Sequence, residues 1–362
     1  NNVNDENDEQ GGSVVLNEPV AVVFPGQGSQ KPGMAEHLVE RAPDLCARWM
    51  DRASAILGWD VARMCSEGGA SDLRRTSVTQ PAVFTVSVIT WRLLHRSGLR
   101  PSFVAGHSLG EYSALVAAGA LDFYDALRLV AERGRLMETG VPADAGMIAV
   151  IGPTIEEVDR MCADLQPQGA LVEVANDNGG GQVVLSGSAE GLDRARARVR
   201  GEGARCVDLA VGGPFHSLLV SRAGEGLAKV IGRTGFRDSV IPVIANVTVR
   251  PVDGAEAIGG LLVQQMTGRV RWRETMQELR RDGVRTHVEC GPGRALSSLA
   301  RRELAGAGAW TDSARPVLPR AAGTRCLGRH QIDRIGREHG GSDERSLMGA
   351  SATMVGSEGR RT

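Results

Sequence analysis

The chain has 362 residues, 42% of them hydrophobic, with 42 Lys and Arg against 43 Asp and Glu and a formal net charge of −1. This length allows one large domain, with or without a smaller one inserted, around a substantial core. The balanced charge excludes the basic face of a nucleic-acid binder, no apolar run is long enough to span a membrane, and the polar, acidic start lacks the pattern of a secretory signal. Lys31 and Lys229 are the only lysines, so nearly all positive charge is Arg, a compositional bias rather than chemistry. The six cysteines (Cys46, Cys65, Cys162, Cys206, Cys290 and Cys326) are scattered, with no C-x-x-C pair and no histidine at metal-ligand spacing. They are expected to be reduced, in a cytoplasmic protein without a metal centre.

Residues 1–17 carry no apolar periodicity and are expected to form a disordered acidic extension. "PVAVVFPG" (Pro19–Gly26) then predicts a buried strand. "TQPAVFTVSVITWRLLHRSG" (Thr79–Gly98) has helical spacing and a glycine stop, and "SFVAG" (Ser102–Gly106) predicts a second buried strand. "LGEYSALVAAGAL" (Leu109–Leu121) predicts the helix that follows. Alternating strand and helix implies a parallel sheet covered on both faces.

Between residues 140 and 212 the rhythm changes. "GMIAVIG", "LVEVANDN", "GQVVLSG" and "ARCVDLAV" predict strands, and Thr154–Leu165 and Ser188–Glu202 predict helices. The order β-α-β-β-α-β is that of a ferredoxin-like unit. "VRTHVECGPG" (Val284–Gly293) predicts a later strand and turn. The expected fold is therefore α/β: a large subdomain from 18–139 and 213–312 with a parallel sheet, and an inserted ferredoxin-like subdomain at 140–212. Residues 313–362 are expected to be a disordered Arg- and Gly-rich tail.

"VAGHSLGEYSAL" (Val104–Leu115) places Ser108 between two glycines, after a strand and before a helix. G-x-S-x-G at such a junction is a nucleophile elbow, where the helix N-terminus offers free N–H groups to a developing oxyanion. A chain with 47 glycines produces the bare motif by chance, and the same pattern fits a tight turn whose serine caps the helix. A nucleophilic serine needs a base. His107 adjoins it with poor geometry for taking its proton, and His37 and His95 fall in helical patterns. His287 falls in a strand pattern, and His330 and His339 fall in the tail. His216, in "VGGPFHSLLV", stands at the mouth of a loop, as either the base or a structural histidine. Arg133, in "LVAERGRLM", reads by itself as a solvated charge on a helix.

Eight ordered blocks carry a resemblance. They are "VFPGQGSQ" (Val23–Gln30), "TQPA" (Thr79–Ala82), "GHSLGEYSAL" (Gly106–Leu115), "ERGRLM" (Glu132–Met137), "GQVVLSG" (Gly181–Gly187), "GPFHS" (Gly213–Ser217), "LVQQM" (Leu262–Met266) and "CGPGRAL" (Cys290–Leu296). From Pro19 to about Leu304 the chain resembles the malonyl-CoA:acyl carrier protein transacylases, and more broadly the acyltransferase domains of fatty-acid and polyketide synthesis.

The resemblance implies an α/β-hydrolase-like large subdomain and ping-pong transfer of malonyl from malonyl-CoA to the phosphopantetheine thiol of acyl carrier protein. It implies Ser108 as nucleophile and His216 as base and acid. Gln265 orients the imidazole through a carbonyl, the main-chain one being preferred. The oxyanion hole falls on the N–H groups of Gln27 and Leu109. Arg133 pairs with the malonyl carboxylate, Gln80 lines the same pocket, and Phe215 narrows it against an α-methyl branch. No cofactor is implied, and a monomer is expected. The alternatives are a polyketide synthase acyltransferase acting in trans, an acyl-thioester hydrolase, and a non-catalytic carrier-protein docking module.

Overall fold

Strand β1 (Val20–Phe24) is buried along its whole length and on both faces. Its side chains alternate between two cores: Val20, Val22 and Phe24 join one cluster, Ala21 and Val23 the other. A near-continuous apolar run is what a strand covered on both sides requires. The computed structural model describes residues 19–142 and 144–304. The extension expected at 1–17 and the tail expected at 313–362, with Cys326, His330 and His339, lie outside the described residues.

Helices α1 (Glu36–Arg41), α2 (Pro43–Leu57), α3 (Val61–Glu67) and α4 (Thr76–Arg96) follow β1. Next come β2 (Phe103–Gly106), α5 (Gly110–Ala117) and α6 (Phe123–Thr139). The inserted unit is β3 (Ala145–Ile151), α7 (Ile155–Leu165), β4 (Val172–Gly179), β5 (Gln182–Ser188), α8 (Ala189–Gly201) and β6 (Arg205–Asp208). The chain closes with α9 (Ser221–Ile231), β7 (Val243–Ile244), α10 (Ala255–Thr267), α11 (Trp272–Arg281), β8 (Thr286–Glu289) and α12 (Ala295–Glu303). The helix expected over Leu109–Leu121 ends at Ala117, because Gly119 turns the chain with φ +74° and Asp122 caps the next helix by accepting from Tyr124 N–H.

The large sheet has the order β7-β2-β1-β8, with every pair parallel. Its strands therefore end on the same edge. The loops at Pro25–Gln27, His107–Leu109, Ala245–Asn246 and Cys290–Gly291 meet there, which is where parallel α/β sheets place their sites. Helix α4 is buried almost all round over its first four turns, and its Gln80 reaches Gln27 at that edge. The second sheet has the order β4-β5-β3-β6 and is wholly antiparallel. One face packs α7 and α8 through Ile148, Val150, Val158, Leu185 and Leu192. The other contributes Met147, Ala149, Ala175 and Val184 to the large core. Polar contacts also tie the inserted unit to the helices of the large subdomain: Asp177 pairs with Arg273 of α11, Asp159 of α7 with Arg269 just before α11, and Gly180 N–H donates to Glu303 of α12 at 2.9 Å.

The elbow needs both of its glycines for space. A Cβ on Gly106 would lie 1.9 Å from the carbonyl carbon of Gly110, and one on Gly110 would lie 2.0 Å from the carbonyl oxygen of Phe24. Gly110→Ala is expected to destabilise the protein by about 3 kcal/mol or more, since backbone must part to admit the methyl. Gly201→Ala, at the end of α8 with nothing within 4 Å of the new Cβ, should be neutral or stabilise by up to about 1 kcal/mol. Chemical denaturation of the two variants checks the contrast, and equal effects would refute this packing account.

Candidate active site

Ser108 occupies the tip between β2 and α5 with φ +52°, a left-handed conformation that costs a non-glycine residue free energy. Asn246, at the end of β7, holds the strained turn. Its Oδ1 accepts from Ser108 N–H at 2.7 Å, and its Nδ2 donates to the Gly106 carbonyl at 2.6 Å. Leu109 is fully buried and directly precedes α5. Its N–H belongs to the group of helix-start donors that lack an intrahelical acceptor.

Ser108 Oγ lies 2.7 Å from His216 Nε2. His216 Nδ1 lies 2.8 Å from the main-chain oxygen of Gln265, not from its side chain. Gln265 is in the last turn of α10, where carbonyls have no intrahelical partner. The donor at Nδ1 leaves Nε2 as an acceptor for the serine hydroxyl proton. His216 also has a positive φ, +58°. It follows Phe215, whose carbonyl accepts from Ser186 Oγ on β5, so the inserted sheet fixes the loop that delivers the imidazole. The Phe215 side chain is buried in the large core. Burial, then the Arg133 cation, pulls the His216 pKa down to about 3. The imidazole is thus neutral at physiological pH, so its Nε2 lone pair faces the serine hydroxyl.

Arg133, on α6, is 0% exposed, the reverse of the solvated charge that its helix alone suggests. Its Nη1 donates to Gln80 Oε1 at 2.8 Å, and its Nη2 donates to Ser108 Oγ at 3.0 Å and Gln265 Oε1 at 3.2 Å. All three acceptors are neutral oxygens. Burial lowers its pKa, yet guanidinium stays charged. Gln80 reaches on to Gln27 Oε1 at 3.4 Å, and Gln27 Nε2 donates to Thr76 Oγ1 at 3.3 Å. The structure thus brings Ser108, His216, Arg133, Gln265, Gln80 and Gln27 into one connected network.

The other described histidines are elsewhere. His107 Nε2 lies 2.8 Å from Asn178 Oδ1 of β4, and its ring meets Trp272 edge-on. His287 is buried in β8. Two residues of the network were not singled out from the sequence, Asn246 and Glu111. Glu111 is 2% exposed on α5, and its Oε2 accepts from Gln265 Nε2 at 2.7 Å and Asn246 N–H at 3.1 Å. A carboxylate inside an otherwise apolar helix pattern was its available signal. Asn246 follows a two-residue strand too short to show periodicity.

A hydroxyl on a strained elbow, a neutral imidazole against it, the start of α5 behind it and a buried cation make a site suited to acyl transfer through a covalent ester. The profile of the acyl transferase domain matches residues 21–309. The chain belongs to this acyl transferase family. Among its relatives is the malonyl CoA-acyl carrier protein transacylase of Bacillus subtilis strain 168, 40% identical over 285 residues, or 78% of this acyltransferase and 90% of that protein. The Escherichia coli K12 protein of the same name is 39% identical over 285 residues, 78% and 92% of the two chains. Solved relatives include an acyl carrier protein S-malonyltransferase from Vibrio cholerae, with TM-score 0.77, 39% identity, and 81% and 96% of the chains covered. Another is a malonyl-transacylase in complex with its type II polyketide synthase acyl-carrier protein, with TM-score 0.77, 41% identity, and 80% and 94% covered.

Buried titratable groups make the stability of this acyltransferase depend on pH. His216, near 3, and His287, pushed by burial to about 4, stay neutral in the fold while the unfolded chain protonates them below about 6.5. Their contribution is complete above pH 6.5 and is lost as pH falls. Glu111, raised by burial to about 7, acts oppositely, stabilising the fold as pH drops from 7 towards 4.5. His95 and His107, also lowered by burial, act in the same direction as these two histidines, and together they outweigh the one glutamate, leaving a net loss on the order of 1 kcal/mol or more per pH unit between about pH 6.5 and 4.5. The melting temperature should therefore fall on acidification through that window, and His287→Gln should flatten the fall. An unchanged slope in that variant would show that His287 titrates normally.

Proposed function

We propose that this acyltransferase moves the malonyl group of malonyl-CoA to the phosphopantetheine thiol of acyl carrier protein through a malonyl ester on Ser108. The observation that carries the reading is the position of Ser108 Oγ, 2.7 Å from the imidazole and 3.0 Å from a buried guanidinium. His216 takes the hydroxyl proton as Ser108 attacks the thioester carbonyl. The oxyanion rests on the N–H groups of Gln27 and Leu109. The carbon–sulfur bond breaks, CoA leaves with the proton from His216, and the malonyl ester remains. The carrier's thiol then attacks that ester, with His216 again as base, and Ser108 recovers its proton.

Arg133 supplies selectivity. A guanidinium matches a carboxylate bidentately, and a dry site strengthens the pair. Gln80 and Gln265 hold the fork from behind. Phe215, directly before the base, favours malonyl over its α-methyl homologue by about 1–3 kcal/mol, the worth of one methyl in a packed pocket. The scheme uses no resident cofactor, since CoA and the carrier's arm are substrates. The chain acts as a cytoplasmic monomer in this reading. Relatives named as malonyl CoA-acyl carrier protein transacylases support fatty-acid synthesis as the setting. The relative in complex with a type II polyketide synthase carrier supports a second one. Transfer rates to a fatty-acid and a polyketide carrier protein distinguish the two.

Intact-protein mass after mixing with malonyl-CoA should show a malonyl adduct that Ser108→Ala abolishes without loss of fold; a stable adduct on the variant would unseat Ser108. Arg133→Ala should invert acyl preference. It leaves the malonyl carboxylate buried and unpaired, at a cost of about 3–5 kcal/mol, so kcat/KM for malonyl-CoA should fall roughly 10²- to 10⁴-fold. Acetyl-CoA has no carboxylate to strand, so its transfer should hold or rise. Equal losses on the two substrates would make Arg133 structural.

A further inference from the structure

We propose that Glu111 is a positioning residue for acyl selectivity: acting through the side-chain amide of Gln265, it fixes the Arg133 guanidinium beside Ser108. The proposal rests on the reading of Arg133 as the partner of the transferred group's carboxylate.

The argument begins with an amide that must choose between two orientations. Gln265 Nε2 faces three oxygens: Glu111 Oε2 at 2.7 Å, the Ser108 carbonyl at 3.0 Å and Asn246 Oδ1 at 3.4 Å. An amide oxygen turned into that position would meet only acceptors, so the nitrogen must occupy it. The shortest and only ionisable of the three acceptors is Glu111. The amide oxygen is thereby directed to the opposite side, where Arg133 Nη2 donates to it at 3.2 Å. The same guanidinium nitrogen reaches Ser108 Oγ at 3.0 Å. The hydrogen bonds of the Glu111 carboxyl group therefore go to Gln265 and Asn246 and not to the Ser108 hydroxyl or the guanidinium fork, yet its acceptor decides which end of Gln265 the fork meets.

Two further observations separate this role from mere packing. Glu111 lies on α5, which presents only apolar and small side chains besides it and Tyr112, and a carboxyl group is a costly filler there. Its Oε2 also accepts from Asn246 N–H at 3.1 Å, so a single oxygen collects both donors. The base is insulated from changes in this amide, because His216 is held by the main-chain oxygen of Gln265 and not by the side chain. Loss of the Glu111 acceptor should accordingly fall on acyl recognition more heavily than on proton transfer.

The test is a comparison of kcat/KM for malonyl-CoA and acetyl-CoA, followed as single-turnover acylation of the full chain. Glu111→Ala removes the acceptor. Glu111→Met removes it at nearly constant volume and stands in where the alanine cavity costs folding. Either should lower the malonyl-to-acetyl ratio about 10- to 100-fold, chiefly by raising KM for malonyl-CoA. Glu111→Gln can place its amide oxygen where Oε2 was and should recover most of the ratio. In an Arg133→Ala background the Glu111 substitution should no longer change the ratio, since it acts through the missing fork. An undiminished effect in that background, equal losses on both thioesters, or a glutamine variant no better than methionine overturns the role of Glu111 alone. If Arg133→Ala itself leaves malonyl preference intact, the reading of Arg133 falls, and the proposal falls with it.

Discussion

Ser108 can hold its left-handed conformation because two close approaches and one asparagine leave the chain no alternative. Gly106 and Gly110 pack backbone against backbone, one against the other and the second against Phe24. Asn246 then bonds both sides of the turn, accepting from Ser108 N–H and donating to the Gly106 carbonyl. Strain of about 1–3 kcal/mol persists only where the surroundings over-determine it. Here they come from three parallel strands, β1, β2 and β7, which end on the same edge of the sheet. Everything else in the site is placed relative to that one hydroxyl.

The second constraint is electrostatic. A guanidinium held by three neutral oxygens beside a neutral imidazole is an expensive arrangement in a buried site: burial lowers the proton affinity of both groups, and the cation lowers that of the imidazole further. In the proposed reaction the carboxylate of the transferred group relieves both costs. It gives the fork a counter-charge and removes the unpaired cation from the neighbourhood of the base, raising its basicity as the thioester arrives. An acyl group without a carboxylate gains neither benefit, so discrimination resides in the same contacts as catalysis.

Legibility in the sequence followed the range of each interaction. The elbow was readable because Gly106, Ser108 and Gly110 act on one another within five residues. The inserted unit was readable because its strands alternate and its helices carry local caps, such as the Thr154–Glu157 capping box. The end of α5 was misread because a run of alanines continues past Gly119, whose positive φ is invisible to periodicity. Arg133 could not be separated from an ordinary surface arginine by pattern, since Glu132 and Arg135 beside it are a partly exposed ion pair on the same helix. Only the resemblance distinguished it, and tertiary burial accounts for the difference. Asn246 and Glu111 act across more than 130 residues of chain, and no local signal encodes that distance.

A carboxylate stands within this site, and its placement bears on what the ester can react with. Glu111 spends its acceptor on Gln265 and Asn246, while the imidazole is oriented by a main-chain carbonyl. An imidazole against a neutral oxygen is a weaker base than one backed by a buried carboxylate. The carrier's thiol, with a pKa near about 8.5, yields its proton far more readily than water at about 15.7. A base of limited strength therefore widens the gap between the two acceptors instead of closing it. In the proposed reaction, a carboxyl group one hydrogen bond removed from the histidine still supplies the acceptor that orients Gln265, and it withholds the driving force that hydrolysis would need. In the proposed scheme, the same network that selects the acyl group thus protects the acyl-serine until a thiol reaches it.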